Sequence, residues 1–381
     1  MFEFEQGPIR PPSEARSLLI RATRNCPWNR CEFCHTYKGQ KFRVRPVEEI
    51  KQDIQKARDI ADEIRELSWR YGHGGEVNDE VVRLVYGQYP MYGESHRTVA
   101  SWLCFGGNQA FIQDANSLVM NTEDLVAVLA FLREKFPQIT RITSYARSKT
   151  LAEKSTEELR DLQRAGLSRI HVGLETGYDP LLVYIRKGVT AKEHVEGGTK
   201  VVKSGISLCE YVMPGLGGKK WTREHAVETA RVLNQIHPQY IRLRTLCVRP
   251  NMVLHQKVQS GELELLDDDQ VVEELRLFIE HLNGIQSYLV SDHILNLLEE
   301  IEGKFPQDKK RLLDTIDHYL ALPAQERLLF VVGRRGGLYR RLDDLQNQEA
   351  RLRVEQAISL LKEQGEEKIE ETIKSMMSNY I

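Results

Sequence analysis

The chain has 381 residues, of which 53 are Lys or Arg and 55 are Asp or Glu, so its formal net charge at pH 7 is −2. This near balance argues against a general polyanion binder, although it leaves room for a local basic groove. No apolar run approaches the roughly 20 residues of a membrane span. The N-terminus is acidic and contains prolines, unlike a signal peptide, so we predict a cytoplasmic protein.

Short β-branched and apolar runs alternate with amphipathic helices from about residue 17 to residue 250. Such runs are typical of buried parallel strands. Consecutive strand–helix units imply right-handed crossovers, and six of them are too few for a closed (β/α)8 barrel. We therefore predict an α/β fold with a partial (β/α)6 barrel of the TIM type. The predicted strands cover residues 17–23, 99–105, 141–147, 169–175, 207–213 and 240–246.

Three helices between these strands have recognisable first turns. Ser155 and Glu158 have the spacing of a capping box, as do Thr190 and Glu193, and Thr122 is a predicted N-cap. These signals place helix starts between successive strands, as a parallel sheet requires.

The rhythm changes in two places. Residues 46–98 form an insertion that begins with a long helix and continues into a stretch containing Gly and Tyr. Beyond residue 250 the pattern becomes largely helical. We therefore predict a barrel domain over residues 1–250, including the insertion, and a mostly helical C-terminal extension over residues 251–381.

Three of the six cysteines lie in one short segment, NCPWNRCEFC, directly after the first predicted strand. Cys26, Cys31 and Cys34 form a C-x4-C-x2-C pattern at the carboxyl end of a strand, where barrel folds place their active sites. Three thiolates can bind three irons of a cubane cluster and leave the fourth iron open. Structural zinc would need a fourth ligand, for which His35 is the local candidate. A plant-type ferredoxin would need a further cysteine, and Cys104 is far along the chain.

This loop and the strand–helix order over about residues 17–250 resemble the radical S-adenosylmethionine superfamily. The resemblance extends to the class that includes oxygen-independent coproporphyrinogen oxidases, elongator-type enzymes and tRNA methylthiotransferases. It implies that Cys26, Cys31 and Cys34 hold a [4Fe-4S] cluster whose open iron chelates S-adenosylmethionine. One electron then cleaves the sulfonium and yields a 5′-deoxyadenosyl radical that abstracts hydrogen from a substrate. The commoner family spacing is C-x3-C-x2-C, so the extra residue indicates a less common subfamily.

The resemblance also assigns two groups of cofactor contacts near the start of the chain. Phe33 matches a position that lies against the adenine, although it would equally serve as an aromatic packed on the barrel rim. Gly106, Gly107 and Asn108 follow the second predicted strand and match a Gly-Gly-Glu segment whose backbone meets the methionine amino group. A simple strand-to-helix turn would explain the glycines as well.

Later strand ends carry further matches. Glu175 matches a contact to the ribose or the amino group of the cofactor, and Met213 and Gly215 belong to a glycine-containing stretch near the adenosine. Arg147 closes the third predicted strand and is placed to reach the methionine carboxylate or the substrate. The predicted cofactor-binding residues are therefore Phe33, Gly106, Gly107, Asn108, Arg147, Glu175, Met213 and Gly215.

Several polar residues beyond this set are weaker candidates. Arg242 and Arg244 share one face of the sixth strand and need either barrel carboxylates or an anionic ligand. Asp292 and Asn296 are four residues apart, which suggests a shared helix face for substrate or a simple N-cap at Asp292. A basic segment near the C-terminus is expected to be a solvated loop, with phosphate binding as the alternative. Its arginines are Arg334, Arg335, Arg340 and Arg341.

The sequence thus predicts an oxygen-sensitive oxidoreductase that acts on a small organic, cofactor or lipid-like molecule and receives electrons from a donor such as flavodoxin or ferredoxin. Two alternatives remain open: an RNA-modifying enzyme of the same class, and a non-catalytic iron–sulfur or zinc carrier or sensor. The near-neutral charge disfavours the first of these. The substrate, the fate of S-adenosylmethionine and the oligomeric state are not encoded in any recognisable motif.

Overall fold

The computed structural model describes residues 3–87, 91–365 and 367–378. The chain divides into two compact units, and the first comprises Met1–Asn29, Thr36–Val172 and Lys200–Leu208. The second comprises Arg30–His35, Gly173–Thr199 and Cys209–Ile381. Among the helices that the structure describes, none has both the length and the apolar character needed to cross a membrane.

The strands and helices are as follows. The strands are β1 (Leu18–Arg21), β2 (Thr23–Arg24), β3 (Arg43–Val44), β4 (Gln109–Gln113), β5 (Arg141–Ala146), β6 (Leu167–Glu175), β7 (Ser207–Val212), β8 (Tyr240–Leu243), β9 (Tyr288–Val290) and β10 (Gly303–Lys304). The helices are α1 (Val47–Arg70), α2 (Asp79–Gly87), α3 (Glu94–Cys104), α4 (Thr122–Lys135), α5 (Ser148–Glu153), α6 (Thr156–Arg164), α7 (Asp179–Tyr184), α8 (Ala191–Ser204), α9 (Gly218–Ile236), α10 (Val253–Gln259), α11 (Asp268–His281), α12 (Lys309–Ala321), α13 (Ala324–Arg335), α14 (Gln348–Glu363) and α15 (Glu367–Ser378).

The first unit is built on four parallel strands in the order β1, β4, β5 and β6. Ile20 of β1 pairs with Ile112 of β4, and both are buried. Helix α1 packs against β1, α3 and α4. Its buried residues recur at helical spacing, as in Ile50, Ile54 and Ala57, so one apolar stripe faces the core.

The second unit contains β7, β8 and β9 as parallel neighbours, with β10 antiparallel to β9. Leu243 of β8 pairs with Val212 of β7, and the two strands therefore end side by side. Helix α11 packs against α9 and α12, and α13 packs against α14 and α15. The mixed α/β class with mostly parallel strands is thus confirmed, as is the largely helical character beyond residue 250. The domain boundary at residue 250 stays a prediction.

Five of the six predicted strands are confirmed, and the one at residues 99–105 is wrong. That segment belongs to α3, in which Ser95, His96, Val99, Ala100 and Trp102 are buried at helical spacing. The strand that follows is β4. A short apolar run has no period of its own, so it fits a buried helix as well as a buried strand.

The predicted helix starts are nearly all correct. Ser155 and Glu158 form a complete capping box at α6, and the Thr190 hydroxyl accepts a hydrogen bond from the Glu193 N–H at 3.2 Å before α8. At α4 the cap is one residue earlier than predicted, because the Asn121 side chain accepts from the Glu123 N–H at 2.8 Å.

The capping box at α6 gives a direct test of these local signals. Replacing Ser155→Ala removes the acceptor for the Glu158 N–H, and we expect the free energy of unfolding to fall by about 1 kcal/mol. Urea denaturation followed by circular dichroism measures this change. The matched variant Ser155→Thr keeps a hydroxyl at the cap and should lose much less. Equal losses in the two variants would contradict the assigned cap.

Candidate functional site

The cysteine loop crosses the boundary between the two units, because Cys26 belongs to the first and Cys31 and Cys34 belong to the second. None of the three forms a disulfide, and all three have intermediate exposure. The Asn29 N–H donates to the Cys26 sulfur at 3.4 Å. Backbone N–H groups directed at a cysteine sulfur tune the reduction potential of a bound iron–sulfur cluster.

The backbone around Cys31 and Cys34 is held tightly within the second unit. The Cys34 N–H donates to the Cys31 carbonyl at 3.3 Å, which closes a turn between the two cysteines. Inside this turn, the Glu32 N–H donates to the Ile185 carbonyl and the Glu32 carbonyl accepts from the Leu254 N–H, both at 3.0 Å. The two sulfurs are therefore presented from a fixed piece of backbone.

The Glu32 side chain strengthens this anchor. It is only 4% exposed, and its carboxylate lies 2.8 Å from Nζ of Lys257 and 3.1 Å from Nε of Arg186. A buried carboxylate is costly unless it is paired, so these two cations restrict the position of Glu32. The position of the two neighbouring cysteines is restricted with it.

A second buried carboxylate holds the backbone before Cys26 and was missed by the sequence analysis. Asp114 directly follows β4 and is completely buried. It accepts from Nη2 of Arg21 at 2.7 Å, from the Asn25 N–H at 3.2 Å, and from the Tyr37 hydroxyl. Burial and the neighbouring carboxylate raise the pKa of Tyr37, so the phenol remains a donor. The signal in the sequence was an Asp directly after the apolar run of β4.

Gly106, Gly107 and Asn108 do not follow a strand, so the position that suggested their role as cofactor contacts is wrong. They lie between α3 and β4, and the Asn108 carbonyl accepts from the N–H of Thr140 at 2.9 Å, just before β5 begins. In the first unit this is the amino end of the parallel strands. The cysteine loop leaves from the carboxyl end, beyond Arg21 of β1.

Arg147 lies where it was predicted, directly after β5. Its Cζ is 5.2 Å from the centre of the Trp28 ring, and Trp28 lies between Cys26 and Cys31 in the loop. Its backbone N–H donates to Oδ1 of Asn116 at 3.1 Å. The first unit therefore brings a guanidinium group onto the cysteine loop through a cation–π contact.

Glu175 ends β6 in the second unit and forms an ion pair that was not predicted. Its Oε1 lies 2.8 Å from Nζ of Lys187, and both side chains are 12% exposed. Its φ of +62° is rare for a non-glycine residue, and such conformations concentrate at functional sites. The pair needs a glycine beside it, since a Cβ on Gly173 would lie 2.2 Å from Oε1 of Glu175.

The other predicted contacts of the second unit adjoin this ion pair. The Met213 N–H donates to the Glu175 carbonyl at 3.1 Å, and Nζ of Lys187 is 5.4 Å from the centre of the Phe33 ring. Gly215 has a φ of +84° and donates its N–H to Glu274 at 2.7 Å. Phe33 packs on a buried apolar cluster of Leu181, Ile185, Met213 and Leu216. The structure thus brings together Phe33, Glu175 and Met213.

Glu210 of β7 is a further group that the sequence analysis missed. It is completely buried, and neither carboxylate oxygen has a hydrogen-bond partner within the described part of the chain. Burial raises the pKa of Glu210 well above its usual range; Lys187 acts in the opposite direction and Glu175 adds to the rise. A buried polar group without a partner points to a ligand or an ordered water.

Of the candidate residues around β8, Arg242 and Asp292 form an ion pair, whereas Asn296 binds the backbone. Nη2 of Arg242 lies 3.2 Å from Asp292, whereas the buried Asn296 amide accepts from the Thr245 N–H at 3.0 Å and so supports the backbone. No helix begins at Asp292, so the predicted N-cap and shared helix face are wrong. The carbonyls of Asn296 and Leu297 accept from Arg334, and the Leu295 carbonyl accepts from Arg335.

The predicted solvated basic loop is also wrong in part. Arg334 and Arg335 end α13 and are buried, at 5% and 2% exposure. Nη1 of Arg335 donates to the Leu295 carbonyl at 2.8 Å, and its Nη2 pairs with Asp268. Arg340 is exposed and pairs with Glu299. The side chains of Arg334 and Arg335 therefore hold the irregular segment after β9 in place.

Within residues 3–87, 91–365 and 367–378, no group of three or more His, Cys, Asp or Glu side chains is arranged as the ligand set of one metal ion. The three cysteines of the loop nevertheless have the chemistry of iron–sulfur cluster ligands. Binding of a metal centre is commonly coupled to local ordering of its ligands.

Curated relatives match parts of the chain. It is 25% identical over 114 residues to the uncharacterized protein MJ0486 of Methanocaldococcus jannaschii, covering 30% of this chain and 35% of that protein. It is 25% identical over 188 residues to the heme chaperone HemW of Bacillus subtilis, covering 48% of each. Identity to YtqA of the same bacterium is 25% over 153 residues, or 39% of this chain and 47% of that protein. The chain thus spans half or less of the length of these relatives. No protein-family model matches it.

Solved structures also match. The radical SAM enzyme coproporphyrinogen III oxidase (HemN) of Escherichia coli is 14% identical, with 68% of this chain and 50% of that chain covered and a TM-score of 0.42. The radical S-adenosylmethionine methyltransferase TsrM of Kitasatospora setae, with cobalamin and a [4Fe-4S] cluster bound, is 14% identical, with 89% and 60% covered and a TM-score of 0.44. These matched structures are radical SAM enzymes.

The hydrogen bonds and ion pair of Asp114 predict a large loss of stability when its charge is removed. In Asp114→Asn the charge opposite the mostly buried Arg21 is lost, and we expect the free energy of unfolding to fall by about 3 kcal/mol. Tyr37→Phe removes one hydrogen bond and should cost about 1 kcal/mol. Urea denaturation measures both. Asp161→Asn, which removes an exposed ion pair with Arg164, is the matched control and should cost less than about 1 kcal/mol. A loss in Asp114→Asn no larger than in this control would contradict the assignment.

The raised pKa of Glu210 predicts a specific pH dependence. At a pH above the usual pKa of a carboxyl group, Glu210 keeps its proton in the folded state and loses it in the unfolded state. The free energy of unfolding should therefore fall as the pH rises towards the raised pKa. Glu210→Gln removes this dependence and should be the more stable protein at pH 8. Urea denaturation of both proteins at pH 5 and pH 8 measures the difference.

The exposed Glu224→Gln is the control for this experiment, because it removes a carboxyl without changing the buried site. Its stability should follow the pH dependence of the unsubstituted protein. If the free energy of unfolding changes equally between pH 5 and pH 8 in Glu210→Gln and in the unsubstituted protein, the raised pKa of Glu210 is contradicted.

Proposed function

We propose that this chain is a radical S-adenosylmethionine enzyme whose cluster is held by Cys26, Cys31 and Cys34. The observation that carries the proposal is the cysteine loop itself, which leaves the carboxyl end of the first parallel strands. Buried carboxylates tie its backbone on both sides, within the unit to which each belongs. The substrate in this proposal is a small organic, cofactor or lipid-like molecule.

The donor set fits a cubane cluster with one open iron. Three cysteines that form no disulfide lie in one loop, and the Cys26 sulfur accepts a backbone N–H. When bound, such a cluster supplies the electron that splits S-adenosylmethionine into methionine and a 5′-deoxyadenosyl radical. The residues of the chain hold the three sulfurs and orient the cofactor and the substrate.

The charged groups near the loop match the groups of S-adenosylmethionine. The Glu175–Lys187 pair offers a carboxylate to an amino group or a ribose hydroxyl, and an ammonium group to a carboxylate. Glu210 adds a neutral buried acid with unused hydrogen-bonding capacity. Phe33 and Met213 supply the apolar surface on which an adenine can lie.

Arg147 of the first unit is a further proposed contact of the cofactor or the substrate. Its guanidinium rests on Trp28 of the cysteine loop and is a suitable partner for the methionine carboxylate or for the substrate. The electron donor, a flavodoxin or ferredoxin, and a cytoplasmic location belong to the same proposal.

Cysteine substitutions test the proposal. After anaerobic reconstitution with iron and sulfide, the unsubstituted protein should be brown and should release 5′-deoxyadenosine from S-adenosylmethionine and a strong reductant. Cys26→Ser, Cys31→Ser and Cys34→Ser should each lose most of the bound iron and reduce the release to background, because three thiolates are needed to hold the cluster. Iron analysis and chromatography of the nucleoside measure the two outcomes.

Cys104→Ser is the control, because Cys104 ends α3 and does not belong to the loop. This variant should retain both the iron and the nucleoside release. A colourless unsubstituted protein that binds zinc under the same conditions would overturn the proposal in favour of a zinc protein. Iron loading that is equal in Cys34→Ser and Cys104→Ser would overturn the ligand assignment.

A further inference from the structure

We infer that Arg242, Arg244 and His293 form a binding subsite for an anionic group of the substrate, a carboxylate or a phosphate. The inference rests on the proposed function, because it assigns the substrate class of the same site. All three residues belong to the second unit. They lie at the carboxyl end of β8 and in the irregular segment that follows β9.

Arg242 has more hydrogen-bonding capacity than its neighbours use. Its side chain is 11% exposed, and Nη2 lies 3.2 Å from Asp292. Nη1 donates to the Tyr211 hydroxyl at 3.3 Å. Nε is buried and has no hydrogen-bond partner among the described residues. A guanidinium that is removed from water normally uses its donors on carboxylates or phosphates.

Arg244 is the next residue on the same face and is exposed. Its backbone N–H donates to the Val212 carbonyl at 3.0 Å, which fixes the start of the side chain. No ion pair or hydrogen bond of its guanidinium is found within the part of the chain that the structure describes. A fixed backbone that carries an unpaired cation is suited to a charged ligand.

His293 lies within the field of both arginines. Burial lowers the pKa of His293 to about 4, and the charges of Arg244 and Arg242 add to the effect. The neutral ring accepts the Leu295 N–H on Nδ1 at 3.2 Å, so Nε2 carries the proton and can donate. The subsite thus combines two cations with a neutral donor.

The balance of charge around this group is positive. Asp292 is the carboxylate that pairs with Arg242, and it is 37% exposed. The two guanidiniums of Arg242 and Arg244 therefore outnumber the Asp292 carboxylate. Such an excess of positive charge attracts an anion and makes its binding sensitive to salt.

The position of the group ties it to the proposed cofactor site of the second unit. After Arg244, the Leu246 N–H donates to the Pro214 carbonyl at 2.9 Å. Leu246 also packs on the apolar cluster that contains Met213 and receives Phe33. An anion held by Arg242 and Arg244 would therefore lie beside the residues proposed to contact S-adenosylmethionine.

Anion binding by the 381-residue chain tests the inference. Inorganic phosphate and succinate are titrated separately by calorimetry, at an ionic strength kept constant with chloride. At least one should bind saturably, and the stronger probe identifies the phosphate or the carboxylate. Arg244→Gln should weaken its binding about tenfold, the loss expected for one charge-assisted contact. Asp292→Asn should strengthen it, because Arg242 loses a competing carboxylate.

The control is Arg164→Gln, an exposed arginine of α6 that pairs with Glu157 and Asp161. It should bind the anion as the unsubstituted protein does. Absence of saturable binding by the unsubstituted protein, or an equal loss in Arg164→Gln, would overturn the inference. The titration needs neither S-adenosylmethionine nor a reductant. Failed nucleoside release with intact anion binding would therefore count against the proposed function and not against the subsite.

Discussion

The geometry of the cysteine loop depends on the pairing of two buried carboxylates. Asp114 is held by Arg21 and in turn fixes the Asn25 backbone directly before Cys26. Glu32 lies between the other two cysteines and is held by Lys257 and Arg186. Since a buried carboxylate without a partner would destabilise the fold by several kcal/mol, each of these positions is tightly restricted. The loop contains little helix or strand, and these ion pairs fix its backbone in their place.

The same argument separates structural charges from charges that are available to a ligand. Asp114 accepts from Arg21, the Asn25 N–H and the Tyr37 hydroxyl, and the Glu32 carboxylate forms ion pairs with Lys257 and Arg186. Glu210 is equally buried, yet both of its oxygens lack a partner in the described structure. Nε of Arg242 is also buried and has no hydrogen-bond partner among the described residues. Unused hydrogen-bonding capacity at buried groups is stabilised by a ligand or by water; Glu210 lies within β7, and Arg242 lies near the carboxyl end of β8.

Much of the fold could be predicted because local signals agreed with each other. Ser155 with Glu158 marked a helix start, and the β-branched runs around it marked strands. At residues 99–105 the only signal was an apolar run, and the helical spacing of Val99 and Trp102 became visible only through their burial. That one error had a consequence for the site. It placed Gly106 and Gly107 at the carboxyl end of a strand and hid Asp114, which occupies that end.

The part of the site that could not be predicted is the part formed by distant segments. Arg334 and Arg335 look like a solvated basic run, because the sequence does not reveal that the carbonyls of residues 295–297 lack helical partners. The two arginines bind those carbonyls and so fix the segment that carries Asp292 and His293. This segment meets Arg242 of β8 through the Asp292 carboxylate. The sequence pattern changes at residue 250, whereas the contacts of Arg242 cross that position. The helical extension therefore contributes to the charged face of β8 through Asp292, and it also holds the cysteine loop through the ion pair of Lys257 with Glu32.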